Sequence, residues 1–319
     1  MTPDPLRYHT PLPYRRTFYP LGFGATIATN CETVIAAAES IWGKFRKMRN
    51  EPPVELRLAV SESRTGEKPA PRMPRGQGHL ISFIHDADNF VVCDLRAGYA
   101  FGWITTPVAS EETYVRYYFV ESCIYLMLDA LYLTTVHAAC IDLHGKGILL
   151  SGDCGAGKST LSYQCAKRGW AFVSDDASHI IRASDGRVVV GNPYQVRFRP
   201  HAMTVFPELT GNVPFERPNG KPSIELDTAS LNLAIKEQTH ADYLIFLKRN
   251  PAAPQQLRSY DKEEAFVRLS QVICFGDESL REELRAGFHR LLTVPVYEMQ
   301  YYDLDWAEQR LRSLVENNE

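Results

Sequence analysis

Paired cysteine spacing is missing from this 319-residue chain. There are seven cysteines, at positions 31, 93, 123, 140, 154, 165 and 274, and no two of them make a C-x-x-C pair. An odd count without that spacing argues against a disulfide framework or a structural zinc site and suits a reducing, cytoplasmic setting. A basic excess is also missing. The 35 Lys and Arg against 38 Asp and Glu leave a net charge of −3, which argues against a dedicated nucleic-acid binder. No long apolar run is unbroken: the most apolar stretch, 115–136, contains Arg116, Glu121 and Asp129, so no membrane span is expected. The opening residues, MTPDPLRYHTPLPYRR, lack the apolar centre of a secretory leader. Internal repeats and low-complexity tracts are absent too. What remains is 45% apolar and 23% charged, ordinary for a folded chain of about two domains.

Proline and aromatic residues in the first twenty positions predict an extended arm. Apolar residues at 3–4 residue spacing predict a helix over 31–48, with Asn30 or Thr33 as its cap. VELRLAV (54–60) alternates as a strand, and the Pro- and Gly-broken stretch 61–78 predicts a long loop. Three short strands at 79–84, 89–95 and 100–105 suggest an antiparallel meander. These elements make a small α+β N-terminal domain, 1–108, followed by an aromatic-rich bridging helix, 109–133. The second domain, 134–319, alternates strands and helices as an α/β fold. Strands are expected at 136–143, 147–152, 170–176, 178–183, 187–191, 194–199, 243–249 and 295–301. Helices are expected at 158–168, 262–273, 280–292 and 304–316, and a Pro/Gly-rich segment over 200–222.

One motif carries most of the chemistry. Gly152-Asp153-Cys154-Gly155-Ala156-Gly157-Lys158-Ser159 matches G-x-x-x-x-G-K-[ST], between an apolar strand and a helical pattern. Glycines let the backbone curl so that several N–H groups point at one anion, and the helix start adds its positive end. Lys158 can then reach the β- and γ-phosphates of a nucleoside triphosphate, and the Ser159 hydroxyl can bind Mg²⁺. Asp175 and Asp176 end the strand after that helix. Carboxylates there can hold Mg²⁺ or take the proton of an attacking hydroxyl; the plainer reading is a pair of turn-forming aspartates. His137, on the strand before the loop, is by itself more simply a core residue than a catalytic one.

VHAACIDLHGKGILLSGDCGAGKSTLSYQCAKRGWAFVSDD (136–176) resembles the catalytic core of the HPr kinase/phosphorylase family. The resemblance rests on the histidine, the G-x-G-I-L-L strand, the GDxGxGKS loop, the K-R-G that ends the helix, and the terminal D-D. It implies a P-loop kinase fold related to that of phosphoenolpyruvate carboxykinase. It also implies a reaction that moves phosphate from ATP or pyrophosphate to a protein serine, in some members reversibly. Carried over, residues 152–160 bind ATP, with Thr160 where the family usually has Glu. Ser159 and Asp176 contact Mg²⁺, the Asp175/Asp176 pair supplies the base, and His137 supports that pair. The family's E-[IV]-R-G-x-G signature is absent. Its nearest counterpart is Gln195-Val196-Arg197, which puts a glutamine where the family has a glutamate ligand. The family's proline- and arginine-rich loop is not identifiable either, and the first hundred residues do not match its N-terminal domain.

Arg197 and Arg199, with His201 in the same parity, sit on one strand face and either meet phosphate or are solvated. Arg217 and Lys221 lie on a Pro/Gly-hinged loop, which either closes on the γ-phosphate or is plain surface. Cys154 is either an oxidisable thiol or a tolerated small residue. The expected activity is an ATP/Mg²⁺-dependent kinase acting on a hydroxyl, with a serine of a protein or peptide as acceptor. A small-molecule acceptor and a non-catalytic nucleotide-sensing module are the alternatives. The family resemblance further implies a homo-oligomer.

Overall fold

A computed structural model of the chain describes residues 10–62, 69–217, 220–273 and 275–317. The first half of the expected N-terminal arm, the centre of the 61–78 loop, two positions of the 200–222 segment and Cys274 fall outside the described residues. The chain divides into two units: residues 1–131 with 275–281, and residues 132–274 with 282–319.

The first unit holds a seven-stranded mixed sheet. Its elements are β1 (Tyr14–Phe18), β2 (Ala25–Thr29), α1 (Glu32–Trp42), β3 (Val54–Ser61), β4 (Arg75–Gln77), β5 (Leu80–Ile84), β6 (Phe90–Asp94) and β7 (Tyr99–Thr105). The sheet order is β1-β2-β3-β7-β6-β5-β4. The meander β5-β6-β7 is present, but it is half of a larger sheet, because β7 pairs in parallel with β3 and β3 with β2. Residues 14–18 of the expected arm form β1 instead: Tyr14 pairs with Thr29 and Phe18 with Ala25, so the backbone finds its partners in β2. Neither expected cap serves α1. The Asn30 amide binds both backbone groups of Val60, and Thr33 donates to the Ala109 carbonyl.

The helical run after β7 is α2 (Thr106–Ala109), α3 (Glu112–Val115), a π-helical turn (Arg116–Glu121) and α4 (Ser122–Leu131), all within the first unit. Two contacts match the wider turn, since each spans five residues: Arg116 to Glu121 at 3.0 Å, and Ser122 Oγ to the Tyr117 carbonyl at 2.6 Å. The run packs on α1, where Trp42 Nε1 donates to the Tyr125 hydroxyl at 3.1 Å.

The second unit is a nine-stranded sheet with helices on both faces. Its elements begin with β8 (Leu133–Val136), β9 (Ala138–Leu143), β10 (Lys146–Ser151), α5 (Lys158–Lys167), β11 (Ala171–Ser174), β12 (Ser178–Ile181) and β13 (Val188–Gly191). They continue with β14 (Gln195–Phe198), α6 (Ala202–Val205), β15 (Phe215–Glu216), β16 (Pro222–Asp227), β17 (Gln238–Arg249) and β18 (Gln256–Ser259). They close with α7 (Lys262–Ser270), α8 (Glu278–Leu291, in this unit from 282), β19 (Val296–Tyr301) and α9 (Leu304–Glu316). The main sheet runs β11-β9-β10-β17-β13-β12-β8, with β19 on β17 and β18 on β19.

β10 is buried along almost its whole length, as a strand covered on both faces must be. Its side chains alternate between two cores. Ile148 and Leu150 join Leu161 and Cys165 of α5 and Leu311 of α9, whereas Leu149 joins Leu269 of α7 and Phe288 and Leu291 of α8. A third cluster joins Tyr163 of α5 to Val196 and Phe198 of β14, Phe206 and Ile224, where β14, β16 and β15 form a separate small sheet. The segment expected to be irregular, 200–222, therefore contains α6, a 3₁₀ turn at Pro207–Leu209 and β15. Its apolar residues Phe206 and Leu209 account for this order, because both are buried against α5.

Candidate active site

Strand direction gathers the site. β9 is antiparallel to both β10 and β11, so the start of β9 lies beside the ends of the other two: Ser151 pairs with Ala138, and Ser174 with Cys140. β17 runs parallel to β10 and places Phe246 opposite Ser151. β19 runs parallel to β17 and ends at Tyr301. Five strand ends thus meet at one sheet edge, where ligands of open α/β sheets are bound.

The loop leaves β10 at Gly152 and enters α5 at Lys158. Ala156 N closes it by donating to the Asp153 carbonyl at 3.1 Å. Gly157 caps α5 at φ 96°, and a Cβ there would meet the Tyr301 hydroxyl at 2.1 Å, so both conformation and space demand glycine. That hydroxyl donates to the Ala156 carbonyl at 2.8 Å from a fully buried ring. At Gly155, φ 88°, the position of a Cβ has no atom within 4 Å, so the mouth of the loop is open. Lys158 is buried, and its Nζ donates to the carbonyls of Gly152 (2.7 Å) and Asp153 (3.4 Å). Burial holds its ammonium below the ordinary lysine range, opposed first by the negative charge of Asp176 and then by those of Asp153 and Asp175. Ser159 and Thr160 stand in the first turn of α5, both half-buried.

His137 does not lie on a strand as the sequence suggests. It is an exposed bend between β8 and β9, which pair with different neighbours, β12 and β10. The break frees its side chain from the pleat. His137 Nδ1 is 3.4 Å from Asp176 Oδ1, each side chain about half exposed, and the His137 carbonyl accepts from Ser151 Oγ at 3.2 Å.

The two aspartates differ sharply. Asp175 is buried, and its Oδ2 accepts the Arg197 backbone N–H at 2.7 Å. Burial pushes its carboxyl up to about 6; the positive charge of Arg197 opposes this and the negative charge of Asp176 adds to it. Asp176 faces solvent and His137.

The arginines expected near phosphate divide. The Arg197 side chain turns to its cross-strand partner: Nε is 2.9 Å from Glu225 Oε1, and Nη2 donates to Gln195 Oε1 at 2.9 Å. Gln195 Nε2 in turn donates to Glu225 Oε2 at 2.8 Å. Arg199, just past β14, lies 4.0 Å from Cys154 Sγ and 3.4 Å from the Pro222 carbonyl. His201 does not continue that face; it caps α6 and bonds to Thr204. Arg217 and Lys221 close the β15–β16 hairpin through Arg217 N to the Lys221 carbonyl, 3.1 Å.

A cleft of about 290 Å³ opens beside the loop, lined among others by His137, Asp153, Cys154, Phe246 and Arg268. Sequence reasoning missed Phe246, Arg268, Glu225 and Tyr301. Each comes from an element far from the motif, and no local pattern marks it.

The geometry fits a nucleoside triphosphate with Mg²⁺: an open, glycine-lined cradle, a buried lysine over its first turn, a hydroxyl at the helix start and a solvent-facing carboxylate. Among the described residues there is no cluster of three or more His, Cys, Asp or Glu able to cage a metal alone, and Mg²⁺ is commonly held by phosphates and one or two protein ligands. No helix among the described residues is long and apolar enough to cross a membrane.

Comparison with known proteins points to one family. Residues 131–204 match the profile of the HPr Serine kinase C-terminal domain. An HPr kinase/phosphorylase of Streptococcus mutans is 26% identical over 203 residues, which cover 58% of this chain and 56% of that protein. One from Peptoclostridium acidaminophilum is 44% identical over 55 residues, 17% of this chain and 18% of the relative. The chain therefore spans little more than half the length of the first relative and less of the second. The solved Hpr(Ser) kinase/phosphatase of Coxiella burnetii aligns at 16% identity with a TM-score of 0.31, over 58% of this chain and 95% of that one. Residues 131–204 contain the loop, His137 and both aspartates, so the similarity to the HPr Serine kinase C-terminal domain covers the whole candidate site.

Proposed function

We propose that the chain is an ATP- and Mg²⁺-dependent kinase that phosphorylates a hydroxyl, a serine of a protein or peptide. The observation that carries this reading is the meeting of a phosphate loop, a raised carboxyl and a His–Asp pair at one sheet edge. The kinship with proteins named HPr kinase/phosphorylase supplies the acceptor class.

In this reading, Lys158 leaves the carbonyls of Gly152 and Asp153 for the β- and γ-phosphate oxygens. The N–H groups of 153–160 surround the phosphates at the start of α5. Asp175 acts as the base. A carboxyl raised to about 6 is ionised near neutral pH yet basic enough to draw a proton from the acceptor hydroxyl. Its backbone bond to Arg197 fixes the carboxylate plane. Asp176 and Ser159 would hold Mg²⁺, which would offset charge on the transferring group. His137 orients Asp176. Gln195, in place of a glutamate, leaves Glu225 as the carboxylate beside Arg197 and favours one competing reading, a nucleotide-sensing module without transfer.

One experiment separates them. γ-labelled ATP, Mg²⁺ and nucleotide-depleted lysate are incubated with the wild type or with the Asp175→Asn/Asp176→Asn double variant. Label on a discrete protein, peptide or metabolite with the wild type alone supports the kinase and reveals its acceptor. Label recovered only as ATP and free phosphate favours the sensor.

A further inference from the structure

We infer that Arg268 is a further catalytic residue, one that donates to the transferring phosphoryl group. The inference rests on the kinase reading above.

Arg268 lies near the end of α7, a helix capped by Asp261 through the N–H groups of Glu263 and Glu264 and packed on the sheet by Ala265 and Leu269. Its guanidinium stacks on Phe246, 4.5 Å from the ring centroid, and approaches Tyr260 at 5.9 Å. Phe246 is the register partner of Ser151, which precedes the loop. Stacking holds the planar fork while leaving its in-plane N–H donors available. The ion pair it makes is long and wet: Nη2 is 3.6 Å from Asp153 Oδ1, and the Asp153 side chain is 95% exposed. Such a pair is weak and readily exchanged.

Its position is the second argument. Lys158 Nζ rests on the carbonyls of Gly152 and Asp153, and the lysine of such loops serves the β- and γ-phosphates. That lysine therefore marks the terminal-phosphate end of the cradle. Arg268 faces the same residue, Asp153, and lines the same cleft as His137. By contrast, the Arg197 side chain is engaged by Glu225 and Gln195.

During transfer, a bond forms between the acceptor oxygen and the γ-phosphorus. The bond from that phosphorus to the leaving ADP oxygen breaks, and the acceptor proton passes to Asp175. Arg268 exchanges Asp153 for the non-bridging phosphoryl oxygens and neither gains nor loses a proton. An arginine used this way acts on the transition state more than on bound nucleotide.

The test uses the full chain and compares Arg268→Ala and Arg268→Lys with the wild type. Binding of Mg²⁺–ADP is measured by calorimetry with and without aluminium fluoride, and transfer kinetics are measured once an acceptor is known. The expected result is a loss of at least about 100-fold in affinity for ADP–aluminium fluoride, with ADP affinity within threefold. The kcat should fall by about 10³-fold at nearly constant KM for ATP. Equal losses for both ligands would make Arg268 a nucleotide anchor, and unchanged affinities would give it a packing role; either overturns the inference. Arg268→Lys keeps stem and charge, so it gives the reading should the alanine variant fold poorly. A wild type that binds ADP–aluminium fluoride no better than ADP removes the kinase reading and this inference with it. A wild type that prefers the fluoride complex, with an unaffected Arg268→Ala, overturns this inference alone.

Discussion

The edge formed by β9, β10 and β11 and the small sheet β14–β16 both present charged residues around Asp175, yet they handle charge in opposite ways. At the edge, Asp175 is buried as a carboxyl raised to about 6, Lys158 is buried over loop carbonyls, and His137 and Asp176 stand half exposed. On the small sheet, Arg197, Glu225 and Gln195 bond to one another in a closed triangle. The first region keeps costly, reactive groups poised; the second neutralises its own. A site that must exchange partners during a reaction tolerates the first arrangement at the expense of stability, and a supporting element is better served by the second.

Asp175→Asn tests that comparison most severely. Loss of the base proposed for Asp175 is expected to lower kcat by about 10²–10⁴-fold. The same change should stabilise the protein at neutral pH. The native carboxyl titrates near 6 against 3.8 for an ordinary aspartate, so its ionisation opposes folding. The favourable contribution is complete below pH 4 and is lost as pH rises through 6. Asparagine removes the charge and retains an oxygen for the Arg197 N–H. Denaturation at pH 8 should therefore show a variant roughly 3 kcal/mol more stable than wild type, with the gap closing at pH 4. In the wild type, kcat/KM should fall as pH drops below about 6. A variant that is fully active, or no more stable at pH 8, would break the contrast.

Arg197→Ala and Glu225→Ala sharpen the other side. Both side chains are largely covered, so a double-mutant cycle in urea should give a coupling of about 1–2 kcal/mol. The alanine at 197 keeps the backbone N–H that holds Asp175 but removes the charge that lowers its pKa. The acid limb of the rate profile should therefore move to higher pH in Arg197→Ala. A large fall in kcat with no movement of that limb would instead mark the guanidinium as a phosphate contact.

What the sequence shows of this site follows from how local each feature is. The loop is legible because its eight residues must supply φ angles, a lysine and a hydroxyl in one contiguous turn, and the aspartates are legible because they end the next strand. Residues 136–143 read as a single apolar strand, and nothing in them announces the bend at His137 that sends β8 and β9 to different neighbours. Phe246 and Tyr301 reach the loop through the parallel register of β10, β17 and β19, which no short window encodes. In the first unit, β1 reads as an arm because four of its five residues are exposed and only Phe18 is buried, so the signal of a half-buried strand is missing. The π turn hides inside a helical pattern whose i→i+5 contacts periodicity does not distinguish.

Tyr301→Phe is the mildest challenge, and it asks whether the edge depends on support from a distant strand. The hydroxyl donates to the Ala156 carbonyl from a buried ring, and phenylalanine would fill nearly the same space while leaving that carbonyl without this donor. The expected loss is about 1 kcal/mol of stability. The loop would keep its own closure, Ala156 N to the Asp153 carbonyl, and the left-handed Gly157, so the KM for ATP should rise only a few-fold and kcat should change little. If nucleotide affinity and stability were both unchanged, the loop would be shaped by its own turn alone, and β19 would contribute packing rather than position. A fall in kcat larger than the loss in affinity would mean that the Tyr301 bond fixes where the phosphates sit and not merely whether they bind.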